Sequence, residues 1–124
     1  MSNRILVIED NEDNRQIIRD LLTSLGYELI EATDGEEGVA MAQSHRPDLI
    51  LMDIQLPIMD GYEATRQIRA IPELKTVPII AVTSYALSGD DAKARDAGCD
   101  GHVAKPFSSR ELLTKIREFL PDAG

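Results

Sequence analysis

Leu49-Ile50-Leu51-Met52-Asp53-Ile54-Gln55-Leu56-Pro57 sets an aliphatic run against an aspartate and then a proline-bearing turn. A run so short and so apolar has no polar face to offer water, so it reads as a strand covered on both sides, as in a parallel sheet. Asp53 then stands at the carboxyl end of an interior strand. That is where open α/β sheets place their ligands.

Working outward, Ile5-Leu6-Val7-Ile8 and Ile79-Ile80-Ala81-Val82 repeat the pattern and read as further interior strands. Tyr27 to Ala32 is interrupted by Glu28 and Glu31, and His102-Val103-Ala104 is very short, so both read as edges. Helix signals fill the gaps. Ile17, Ile18, Leu21, Leu22 and Leu25 form one stripe that stops at Gly26, while Asp34…Glu37, Asp60…Glu63 and Ser108…Glu111 each pair an N-cap acceptor with a Glu three residues on. A weakly amphipathic stretch from about Leu87 to Ala97 supplies the fourth helix, with Gly98 as its cap. Pro121 ends the fifth. Strict alternation of strand and helix predicts a parallel sheet with right-handed crossovers and helices on both faces.

With 124 residues, the chain suits one compact domain over 1–124, with no room for a separate output module. Apolar residues make up 43% and aromatic ones 4%, which predicts an aliphatic core. No apolar stretch approaches the roughly 20 residues needed to span a bilayer, and no signal sequence opens the chain, so a soluble cytoplasmic protein with no membrane contact is expected. Cys99 is the only cysteine, which excludes an internal disulfide and a thiolate metal cage; a buried thiol is expected. A net charge of −9 repels nucleic-acid phosphates and argues against direct nucleic-acid binding. Cations and proteins are better partners.

The strands end in chemistry. Glu9-Asp10 follow the first, Asp53 ends the third, Thr83-Ser84 the fourth and Lys105-Pro106 the fifth. If strands one and three are neighbours, three carboxylates converge, and two bare charges about 4 Å apart repel by about 4 kcal/mol at an effective dielectric of 20. Such a cluster holds protons or binds a cation, and an all-oxygen donor set favours Mg²⁺ over Zn²⁺. Carboxylate, hard cation, hydroxyl and ammonium together make a phosphoryl-transfer site. Asp53 would be the nucleophile and phosphoacceptor, Lys105 would neutralise phosphoryl oxygens with the cation, and Thr83 would hydrogen-bond one of them. Lys105-Pro106 is a candidate cis peptide, because a proline there could turn the chain back toward the site.

Glu9-Asp10-Asn11, Leu51 to Pro57 with Met59-Asp60-Gly61, Ala81-Val82-Thr83 and Lys105-Pro106-Phe107 resemble the receiver-domain motifs of bacterial response regulators. The resemblance covers essentially the whole chain, and is nearest to phosphorelay, chemotaxis and stand-alone cell-cycle receivers. It implies a flavodoxin-like doubly wound sheet of order 2-1-3-4-5 with five helices. It further implies Glu9, Asp10, Asp53 and the backbone carbonyl of Gln55 as ligands of Mg²⁺, with Mn²⁺ as a substitute, and Thr83 and Lys105 as phosphate contacts. A histidine kinase or histidine phosphotransfer protein is the implied donor, packing near Asn14, Arg15, Ile18, Phe107 and Ser108. The implied signal leaves through a protein target on the face of the fourth helix, fifth strand and fifth helix, from a monomer or a phosphorylation-dependent dimer. A relay step that passes the phosphoryl group onward is the alternative. Such a protein catalyses only its own phosphorylation and dephosphorylation.

His102 departs from the pattern, since most receivers carry Tyr or Phe there as an inward-turning switch; a plain edge-strand histidine is the competing reading. Gln55 and Tyr85 flank the expected route of water to the phosphoryl group, where Tyr85 either shields or simply packs. Two rivals fit less well. An aspartyl-phosphate hydrolase needs a second acid where Gln55 stands, and a flavin phosphate would meet Glu9-Asp10 instead of a Gly/Ser/Thr loop.

Overall fold

The computed structural model describes residues 3–83, 90–105 and 107–120. Strands and helices alternate: β1 (Arg4–Ile8), α1 (Glu12–Ser24), β2 (Glu28–Ala32), α2 (Gly35–His45), β3 (Leu49–Asp53), α3 (Gly61–Arg69), a 3₁₀ turn at Pro72–Leu74, β4 (Ile79–Thr83), α4 (Asp90–Ala97), β5 (Gly101–Ala104) and α5 (Ser109–Phe119). All four strand pairings are parallel and the order is β2-β1-β3-β4-β5, so β2 and β5 are the edges expected of them.

Strand parity divides the core in two. Ile5, Val7, Leu49, Leu51 and Ile80 face one way, onto Ile18 and Leu22 of α1 and Leu112 and Ile116 of α5. Leu6, Ile8, Ile50, Met52, Ile79 and Ala81 face the other way, onto Ala42 of α2, Ala64 and Ile68 of α3 and Ala94 of α4. This period-two division of uninterrupted apolar runs is what burial on both faces requires. Cys99 is buried as expected, and burial pushes its thiol above the ordinary range. Among the described residues, no helix is long and apolar enough to cross a membrane.

The helix caps follow the residue pattern. Asn11, Asp34, Asp60 and Ser108 each accept a backbone N–H of the first turn, and Ser108 with Glu111 forms the complete reciprocal box. Gly98 has φ +117 and donates to Ala94 and Arg95, closing α4. One stripe is narrower than its sequence suggests. Ile18 and Leu22 are buried, but Ile17 is 60% exposed and Leu25 also reaches solvent. Successive residues point about 100° apart, so a seam centred on Ile18 and Leu22 turns Ile17 away from the sheet.

Candidate functional site

β1 and β3 run in register, with Ile8 paired to Met52, so one further step sets Glu9 level with Asp53. The β1–β2 ladder continues into that step, because Glu9 N–H donates to the Ala32 carbonyl at 3.0 Å. On the other side Asp53 pairs with Val82, and Ile54 N–H reaches the Val82 carbonyl at 3.2 Å. Strands of equal length thus deliver their terminal acids to one place. Glu9, Asp10 and Asp53 each offer an oxygen within 4.8 Å of the others. Glu9 and Asp53 are only 3% exposed, whereas Asp10 is open to solvent.

Lys105 reaches the cluster from the end of β5. Its Nζ donates to Glu9 Oε1 at 2.9 Å and Asp53 Oδ2 at 3.1 Å, while its backbone N–H donates to the Thr83 carbonyl at 2.6 Å. Burial alone would lower the Lys105 ammonium. Its hydrogen bonds and charge contacts with Glu9 and Asp53 prevail and hold it above the ordinary lysine range. The remaining carboxylate oxygens are also oriented: Glu9 Oε2 accepts Asn11 N–H at 3.1 Å and Asp53 Oδ1 accepts Gln55 N–H at 3.0 Å.

Three carboxylates against one ammonium leave the cluster about two negative charges in excess. Buried charge of that sign is costly unless matched, and oxygens in this arrangement match a hard divalent cation. The donor set therefore fits such an ion.

Thr83 is buried at the end of β4, one step beyond the residue paired with Asp53. It borders a cleft of about 410 Å³ shared with Gln55, Asp60, Tyr62 and Lys93. His102 is exposed on β5, paired with Ala81. Ser84, Tyr85 and Pro106, with the proposed peptide geometry at Pro106, lie outside the described residues. Glu9, Asp10, Asp53 and Lys105 are thus brought into direct proximity, Thr83 and Gln55 adjoin them, and His102 stands apart on the exposed surface.

Two contributors were not assigned these roles from the sequence. Gly61 N–H donates to the Ile54 carbonyl at 2.9 Å, and a Cβ at Gly61 would press on the Asp53 carbonyl oxygen and lie 2.7 Å from Ile54 Cα. The start of α3 can pack against the strand end that bears Asp53 only because residue 61 has no side chain. The Met-Asp-Gly run was the available signal. Arg15, named from the resemblance only as part of the region where the donor packs, tucks its guanidinium behind Glu9 and Asp10.

A family model described as the response regulator receiver domain matches residues 5–117. The chain belongs to that family, whose members are phosphoacceptor switches rather than turnover enzymes and take a histidine kinase as partner. It is 42% identical over 123 residues to the polar-differentiation response regulator DivK of Brucella anthropi, a match covering 99% of this chain and 100% of the relative. Among solved structures, it resembles the receiver domain of a sensor histidine kinase from Pseudomonas aeruginosa, described with a magnesium ion coordinated in its active-site cleft. That match has TM-score 0.91 and 42% identity, over 98% of this chain and 100% of the other. The chemotaxis protein CheY4 of Vibrio cholerae matches with TM-score 0.91 and 29% identity, over 96% and 99%.

Proposed function

We propose that this chain, as one receiver domain over 1–124, accepts a phosphoryl group on Asp53 from a phosphohistidine of a histidine kinase or histidine phosphotransfer protein. The observation that carries the reading is the convergence of Glu9, Asp10 and Asp53 beside the Lys105 ammonium at the carboxyl ends of β1, β3 and β5. Glu9, Asp10, Asp53 and the Gln55 carbonyl would hold Mg²⁺, or Mn²⁺ in its place. The bound ion supplies positive charge to the phosphoryl oxygens.

An Asp53 carboxylate oxygen attacks phosphorus; an O–P bond forms as the P–N bond breaks, and the bonding pair leaves on the donor imidazole. Lys105 neutralises charge on the transferred group, and Thr83 donates a hydrogen bond to it. Asp53 is held for attack by Gln55 N–H on one oxygen and Lys105 on the other. No general acid is required of the protein, because a phosphoimidazole that carries a proton on its other ring nitrogen releases neutral imidazole.

The signal then passes to a protein target across α4, β5 and α5, in the cytoplasm, from a monomer or a phosphorylation-dependent dimer. His102, exposed on that face, would couple phosphorylation to the surface. Substituting His102→Tyr should change the affinity of the phosphorylated form for its partner; an unchanged affinity would remove that role. Identity of 42% to the receiver of a sensor kinase favours, as a second reading, a relay step that hands the phosphoryl group to another histidine.

The deciding experiment is intact-mass measurement after acetyl phosphate treatment. One phosphoryl group should appear with Mg²⁺ present, and none with EDTA or in Asp53→Asn. Phosphorylation of Asp53→Asn to the wild-type extent would refute the assignment.

A further inference from the structure

Arg15 lies in the first turns of α1 with its side chain only 12% exposed. Nη1 donates to the Glu9 carbonyl at 2.9 Å and the Asp10 carbonyl at 3.2 Å. Nη2 pairs with Glu12, and Nε lies 3.3 Å from Glu31 of β2. Other contacts complete the grip: Glu9 N–H on Ala32, Asn11 N–H on Glu9 Oε2, and Arg15 N–H on the Asn11 carbonyl at 3.0 Å. The main chain from Glu9 to Asn11 is therefore pinned on both sides, and Arg15 supplies the contacts that fix both acid-bearing carbonyls.

We propose that Arg15 is a positioning residue for the cation site: its guanidinium fixes the backbone carrying Glu9 and Asp10 and so preorganises their carboxylates. This rests on the reading of the acidic cluster as a divalent-cation site. A guanidinium acting by charge alone would oppose a nearby cation. Here Glu12 and Glu31 balance its charge, so what reaches the site is geometry. Two carbonyls and two carboxylates are met here by three separate nitrogens of one planar group, a spread that the single nitrogen of a lysine does not provide. Groups that orient metal ligands from behind affect affinity by about tenfold or more.

Arg19 is the internal control. It grips the same Glu31 through Nε at 2.7 Å and Nη2 at 2.8 Å and lies 3.5 Å from the same Glu12, but among the described residues it makes no hydrogen bond to the Glu9 or Asp10 carbonyl. The test is Mn²⁺ titration of the full chain, followed by electron paramagnetic resonance of the free ion, with metal-free thermal midpoints measured alongside. Arg15→Lys should bind Mn²⁺ about tenfold more weakly than wild type. Arg19→Lys should stay within about twofold for a comparable fall in midpoint. If Arg15→Lys does not fold, Arg15→Met, which keeps the aliphatic stem, takes its place. An affinity within twofold of wild type in the Arg15 variant, or an equal loss in Arg19→Lys, overturns the positioning role. Absence of Mn²⁺ binding by wild type, or undiminished binding by Asp53→Asn, overturns the cation site itself and the proposal with it.

Discussion

Arg15 and Arg69 use their guanidinium groups alike, on main-chain carbonyls and carboxylates, at opposite ends of the sheet. Arg69 donates to the carbonyls of Leu74, Lys75, Val77 and Gly98 and to Asp100 Oδ2, which also accepts Ile79 N–H at 2.9 Å. This joins the amino ends of β4 and β5, where one cation meets one anion and the turns close. Arg15 does similar work behind an unbalanced group of three acids and one ammonium. Nearby, Ile58 is 77% exposed at φ +69, in a tight turn closed by Met59 N–H on the Pro57 carbonyl. Similar anchoring thus supports a satisfied end and an end that carries charge excess; a left-handed non-glycine residue occurs at each, Arg46 at φ +47 before β3 and the β-branched Ile58 beside the site. Sites under functional demand commonly hold such strain against the stability of the rest.

The largest effect should come from Arg69→Ala. Several charge-assisted hydrogen bonds disappear together, for a loss of about 3 kcal/mol in urea unfolding, with Mn²⁺ affinity unchanged. A matching loss of affinity would show that the two ends are not separable. Gly61→Ala comes next. Overlap with the Asp53 carbonyl and Ile54 should cost about 2 kcal/mol and also weaken Mn²⁺ binding, because the strand end bearing Asp53 must shift. Full affinity in a destabilised variant would mean that the loop yields and Asp53 stays in place.

Substitutions that relieve the end bearing the site should do the reverse. Asp53→Asn removes one charge from the excess and should stabilise the metal-free protein by about 1 kcal/mol, while abolishing the stabilisation that Mg²⁺ confers on wild type. Chemical denaturation with and without Mg²⁺ reads both. Ile58→Gly exchanges a β-branched residue at positive φ for one that tolerates it; little burial is lost, so a gain of about 0.5 kcal/mol is expected. A loss there would place the strain elsewhere.

The contrast also explains what could be read from the chain. The interior strands and the edge at β2 were legible because aliphatic runs such as Leu49–Met52 suit burial on both faces, and because Glu28 and Glu31 mark a strand that meets water, whereas the strand order came from the resemblance to receiver domains. The acidic cluster was legible because each acid directly follows such a run. Arg15 was not, since nothing in an Asn-Arg-Gln stretch shows that the guanidinium bends back five and six residues onto main-chain carbonyls. Likewise, the closeness of Gly61 to Asp53 depends on how α3 meets β3, and Ile17 turned outward because the seam is narrower than the apolar pattern.

The smallest effect concerns acid. The hydrogen bond from Arg19 holds the Glu31 carboxyl below its ordinary value, against burial, with the charges of Arg19 and Arg15 adding to the shift. A depressed folded value means that the unfolded chain takes up the proton first. The stabilisation is therefore present above about pH 4.5 and disappears as pH falls through the lower folded value. Glu31→Gln should accordingly cost about 0.5 kcal/mol near pH 7 and converge on wild type in strong acid. Because Glu31 also steadies Arg15, the neutral variant should bind Mn²⁺ slightly more weakly at pH 7. Unchanged affinity would show that the two main-chain carbonyls alone keep the guanidinium in place.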